Sequence, residues 1–260
     1  MDLDAFYSEI EDMVDDIPTS SQPALAAVQA AFQESAEQGD EVLGVFLSSK
    51  MSGTFESALL AARAAVGQHP AFSCVVVDSM TNCLELGWPV IEACKARDEG
   101  ASLTECARRV RESIRSTRFI FAPESLRFLA AGGRIGRASA LLGSVLDITP
   151  ILTVKDGVAS VFTKVRSQKK ALAKMSDILS ADMRDYGLKN IAVHYIGSRA
   201  KAETWAKSVI EPLVGRPVMV TPASPVIGTH VGPAVGIAYE CARPIKGKFS
   251  AGVQPEVVVL

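Results

Sequence analysis

Two consecutive segments of this chain follow one pattern, and that pattern limits the fold most. EVLGVFL (41–47) is a short apolar run. The polar stretch Ser48-Ser49-Lys50-Met51-Ser52-Gly53-Thr54 follows it, and a helical pattern then runs to about Val66. SCVVVD (73–78) opens the same sequence again, with a loop and a helical pattern over 82–99. Apolar runs without alternation suit strands buried on both faces, and intervening helices place such strands parallel. An α/β fold with a mainly parallel sheet and helices on both its faces is expected for residues 1–123, with RFIFA (118–122) as a third strand. Ser102-Leu103-Thr104-Glu105 has the form of a capping box.

The pattern changes after Pro123. Residues 124–147 read as a helical connection containing Gly132-Gly133-Arg134-Ile135-Gly136-Arg137 and the small-residue stretch ASALLGSVLDI. ITPILTV and VASVFTKV flank Asp156-Gly157, a pair that supplies the positive φ of a tight hairpin. Helix 167–185, strand 190–196, helix 199–214 and strand 217–221 follow. A second α/β domain is therefore expected over 148–245, a mixed sheet with an antiparallel hairpin, leaving 246–260 as a tail. At the other end, apolar residues from Leu3 to Ile17 recur at helical spacing, and an alanine-rich helix is expected over 24–38.

With 260 residues, 48% hydrophobic and 22% charged, the chain can bury a sizeable core. The formal net charge is −2 and aromatics are 6%, so nothing favours a nucleic-acid surface. The five cysteines form no C-x-x-C pair and the three histidines are scattered, which disfavours a metal site or disulfide framework and suits a reducing, cytoplasmic setting. No apolar run reaches the length of a membrane span, and the acidic N-terminus is unlike a signal peptide.

Candidate chemistry lies in loops. Ser52, Gly53 and Thr54 stand where a strand gives way to a helix, so unpaired N–H groups and hydroxyls can hold a carboxylate or phosphate. This is neither a Walker loop nor a G-x-S-x-G elbow, and no adjacent base activates a nucleophile. Thr19-Ser20-Ser21 reads first as a helix cap. Gly132-Gly133-Arg134 reads as a helix end, because it follows a helix where a dinucleotide loop follows a strand. His230 sits between Gly228 and Gly232 in an expected loop and can donate to a carboxylate. Arg166, after the hairpin, is a further candidate. Ala138–Leu146 and the strand Ile148–Leu152 are candidates for an apolar slot or for plain core.

In order, Pro18-Thr19-Ser20-Ser21-Gln22-Pro23, LSSKMSGTFESA (47–58), Gly132-Gly133-Arg134-Ile135, Lys164-Val165-Arg166 and Gly228-Thr229-His230-Val231-Gly232-Pro233 resemble the motifs of the DegV family. These are bacterial fatty-acid-binding proteins that serve fatty acid kinase as its binding subunit. The resemblance implies two α/β domains enclosing an acyl chain. It also implies a carboxylate held by Ser20, Ser52 with Gly53 and Thr54, and His230, with Arg166 near the head group or the kinase. The implied partners are a long-chain fatty acid, the ATP-binding kinase subunit and, transiently, a membrane surface. No cofactor is expected, and the chain itself is expected to be a carrier, not an enzyme. An α/β enzyme on a small carboxylate or phosphate, using His230 as acid/base with Ser52, is the competing reading. Ser20 stands where the family usually has Thr, and Ala234 where it has a second Gly. The family's usual opening strand has no counterpart: either the sequence is a shortened one or the sheet lacks an element, and loss of a strand beside the head-group loop is expected to expose an edge.

Overall fold

The computed structural model describes residues 3–10, 12–142 and 148–260. Two sheets form its frame. The smaller contains β1 (Val42–Phe46) and β2 (Cys74–Asp78), paired in parallel, with β9 (Val257–Val259) antiparallel on the far side of β2. β1 stands at its edge. Between these strands the chain builds α3 (Thr54–Gln68), and after β2 come α4 (Cys83–Asp98) and α5 (Leu103–Ser116).

Alternation along the strands sorts the helices onto two faces. Val42, Phe46 and Val76 pack with α3 and with α2 (Leu25–Gln38) around Phe32, Phe55 and Phe72. Leu43, Val45, Val75 and Val77 turn the other way, onto Ala93 of α4 and Ala107, Val110 and Ile114 of α5. The Ser102 hydroxyl accepts the Glu105 N–H, as the capping pattern predicts.

The larger sheet has the order β5-β4-β3-β8-β6-β7. Its strands are β3 (Thr117–Pro123), β4 (Thr149–Lys155), β5 (Val158–Val165), β6 (Leu188–Ile196), β7 (Met219–Pro222) and β8 (Ala234–Cys241). Among the described residues of this sheet, only the β6–β7 pair is parallel. Asp156 and Gly157 both take positive φ in the β4–β5 turn, as expected. α7 (Gln168–Tyr186) packs on this sheet. β3 corrects the sequence reading: it is central here, antiparallel to β4 and β8, and does not extend the parallel sheet. α5 runs directly into it, so the chain changes sheets without a linker. An apolar run marks a buried strand but not its partners. The division expected after Pro123 thus falls at the end of a strand of the larger sheet. The tail expected over 246–260 supplies β9.

Shorter pieces complete the chain. The first helical stretch is α1 (Leu3–Glu9) followed by a 3₁₀ turn (Asp12–Asp15), shorter than the expected run to Ile17. α6 (Arg127–Ala131) precedes a 3₁₀ segment, Gly136–Leu141, in place of the expected small-residue helix; the rest of that stretch, 143–147, lies outside the described residues. α8 (Arg199–Trp205) passes through a π turn into α9 (Glu211–Val214). α10 (Pro225–Val231) precedes β8. Among the described residues no helix is long and apolar enough to cross a membrane.

Candidate functional site

Segments distant in sequence meet at a cavity of about 700 Å³. One part of its wall is polar: Ser20, Gln22, Ser52, Thr54, Arg134 and His230. The other is apolar, with Phe119 and Phe121 from β3, Leu129 from α6, Val154 from β4, Ala159 from β5 and Val231 from α10. Pockets of this size and composition are typical of sites for small organic ligands.

The Ser20 hydroxyl is 2.7 Å from His230 Nε2, across 210 positions of sequence. This corrects the capping role expected for Thr19-Ser20-Ser21. The residue capping α2 is Ala24, which supplies no side-chain bond. Gln22 fixes the same loop by donating to the Ser57 hydroxyl of α3 at 2.9 Å. Its amide lies so close to Gly53 that a Cβ there could not fit without moving it.

Gly53 is the N-cap of α3, and the start of this 15-residue helix, Gly53 and Thr54, lines the cavity. Ser52 and Thr54 hydroxyls lie 2.8 Å apart, and Thr54 N–H donates to Ser52 Oγ at 3.3 Å. The base of this loop is Ser48, fully buried, whose N–H donates to Thr81 O at 2.9 Å and whose hydroxyl donates to Gly157 O at 2.7 Å.

His230 corrects another expectation. The Gly228–Pro233 stretch is not a loop throughout; His230 occupies the last turn of α10, which Ser224 caps and Gly232 ends at φ +68°. Burial and the nearby Arg134 cation hold its pKa below the usual histidine value. Both effects favour the neutral form of the ring. Its Nδ1 is buried without a hydrogen-bond partner. That atom rests against Gly132, where a Cβ would collide with it. Gly132 is thus a helix end and also the floor beneath the histidine.

Arg166 is exposed after β5 and is not among the cavity-lining residues. The arginine at the site is Arg134, which donates to Met51 O at 3.2 Å and Gly132 O at 2.6 Å. Ala138, Leu141, Ile151 and Leu152 are buried outside the cavity lining, so they are core and not slot. Sequence reasoning also missed Asn82, which lines the cavity between Met80 and Cys83, two non-glycine residues with positive φ. No local sequence signal marks that loop.

The sequence model of the family described as "Uncharacterised protein, DegV family" matches residues 1–241. The chain belongs to the DegV family. A DegV domain-containing protein of Clostridium acetobutylicum is 38% identical over 237 residues, covering 91% of this chain and 82% of that protein. The structure of a DegV family protein from Thermus thermophilus, described with fatty acid binding, has a TM-score of 0.78 at 31% identity, covering 90% of this chain and 84% of that one. DegV of Bacillus subtilis, described as a fatty acid binding protein, has a TM-score of 0.79 at 28% identity, covering 93% and 84%.

Proposed function

We propose that this chain binds a long-chain fatty acid and presents its carboxylate to a separate ATP-using kinase subunit for conversion to an acyl phosphate. The observation that carries the reading is one cavity with hydroxyls, a histidine and the start of α3 on one part of its wall and aromatic and aliphatic side chains on the other. Burying an acyl chain contributes about 0.8 kcal/mol per methylene, so about twelve methylenes offer on the order of 10 kcal/mol before association costs. The carboxylate then supplies orientation. Ser20, Ser52, Thr54 and His230 are its donors, and Arg134 is the cation beside them. Val226, 52% exposed while lining the same cavity, suits a brief contact with a lipid surface.

The enzyme reading pairs His230 with Ser52, whereas the hydroxyl at His230 is that of Ser20. The orphaned Nδ1 also lacks the carboxylate that orients a histidine base in hydrolytic triads. These features favour a binder.

Native mass spectrometry of the purified chain is expected to show a bound long-chain acid, and titration with oleate a saturable site. Ser52→Ala and His230→Ala are each expected to weaken oleate about tenfold while folding is retained. Unchanged affinity in both variants would refute the head-group assignment. Gly132→Ala is expected to push His230 off Ser20 and weaken oleate by a similar factor, about tenfold. A calorimetric affinity equal to that of the unmodified chain would show that the histidine does not read the acid. With the kinase subunit and ATP, the loaded chain is expected to yield acyl phosphate; alone it should yield none.

A further inference from the structure

Residues 242–260 lie beyond the stretch matched by the family model, yet they are built firmly into the fold. The Ile245 N–H donates to Arg115 O at 3.0 Å. The Lys248 ammonium is buried, 2.9 Å from Glu85, and donates to Thr117 Oγ1 at 2.7 Å and to the Ile114 carbonyl. Ser250 donates twice to the Asp156 carboxylate, from its N–H at 2.8 Å and its hydroxyl at 2.6 Å. β9 then seats the chain end on β2.

Both polar endpoints lead to Ser48. Glu85 accepts the Thr81 hydroxyl, and the Thr81 carbonyl accepts the Ser48 N–H. Asp156 precedes Gly157, whose carbonyl accepts the Ser48 hydroxyl, and the Asp156 carbonyl itself accepts Lys50 Nζ at 2.8 Å. Two of the hydrogen bonds that hold the base of the 48–54 loop are thus each backed by one contact from the tail, while a third, from Ser49 N–H to the Asp78 carboxylate at 3.2 Å, is independent of it. The Asp156 turn also leads into Ala159 of the cavity wall.

We propose that the C-terminal segment is a strap that fixes the geometry of the Ser52–Thr54 loop, with Ser250 as a positioning residue acting through Asp156. Two donors on a nearly fully buried carboxylate make charge-assisted bonds, the stronger kind. Arg137 gives that carboxylate a further bond at 2.9 Å, but its own side chain is 53% exposed and is the weaker tether. Any effect on fatty-acid release rests on the function proposed above; the effect on the loop does not.

Hydrogen exchange of the full chain without ligand tests the strap. Ser250→Ala is expected to speed exchange of the 48–54 amides about fivefold, leave β6 and β8 unchanged, and be rescued by Ser250→Thr, which keeps the hydroxyl. Oleate is expected to dissociate about threefold faster from Ser250→Ala. Unchanged exchange at 48–54, or a rise spread equally over β6 and β8, overturns the proposal. If the unmodified chain takes up no oleate, the fatty-acid reading fails, and the exchange comparison still decides the strap.

Discussion

Replacing Ala159 by tryptophan is expected to lower oleate affinity by about two hundredfold while the chain stays folded. Ala159 is buried on β5 and lines the cavity with Phe119, Phe121 and Val154. An indole projecting from there occupies volume that an acyl tail needs. Excluding about four methylenes forfeits roughly 3 kcal/mol at about 0.8 kcal/mol each, which gives the stated factor. The cavity of about 700 Å³ has room for the ring, so thermal stability should change little. Equal affinity for oleate in the Trp variant and the parent would place the tail elsewhere. The contrast with Ser52→Ala is informative: blocking the apolar wall should cost far more affinity than removing one head-group donor.

Stability is expected to fall as pH drops from about 6.5 to about 4, with His194 as a principal cause. This histidine on β6 is 5% exposed and stands edge-on to Phe119 at 5.8 Å. Its Nε2 accepts the Leu84 N–H at 3.4 Å, and backbone groups of Thr221 and Pro222 face the ring. Burial lowers its pKa to about 4, and backbone groups of Thr221 and Pro222 offset only part of that. The unfolded chain, with its histidine near 6.5, therefore binds more protons than the folded one across this window. Folded stability is retained above about 6.5, erodes as pH falls, and has lost about 3 kcal/mol from this group near pH 4. Urea midpoints measured at pH 7 and pH 4.5 should show the loss, and His194→Gln should remove most of it. An identical pH slope in that variant would assign the loss to other groups.

How much of this was legible in the sequence depended on whether the cause was local. β1 and β2 are short apolar segments between polar loops, because both their faces are covered by helices. The Asp156-Gly157 turn was legible because positive φ restricts residue choice at the turn itself. The pairing of β3 was not, since a strand buried on both faces looks alike in either sheet. α10 was hidden for a related reason. Ser224-Pro225 and Gly232 do mark its start and stop, but the helix has only seven residues, Gly228 and four β-branched ones among them, and it gains support from Tyr7 and Ile10, which close over Gly228. Of the candidate site residues, the Ser-Gly-Thr loop, Ser20 and His230 do line one cavity. Arg166 does not, and Arg134 was passed over because Gly-Gly-Arg satisfies a helix end without any ligand. Only the position of His230 over Gly132 reveals the second purpose of that glycine. Asn82 was missed because nothing local distinguishes it.

The Ser20–His230 contact spans 210 positions and joins a segment near the start of the chain to one close to its end. During synthesis that contact cannot form until the 210 positions separating its two partners have been translated. Under the function proposed above, the head-group cradle is therefore completed late, only after both of its distant segments have been made.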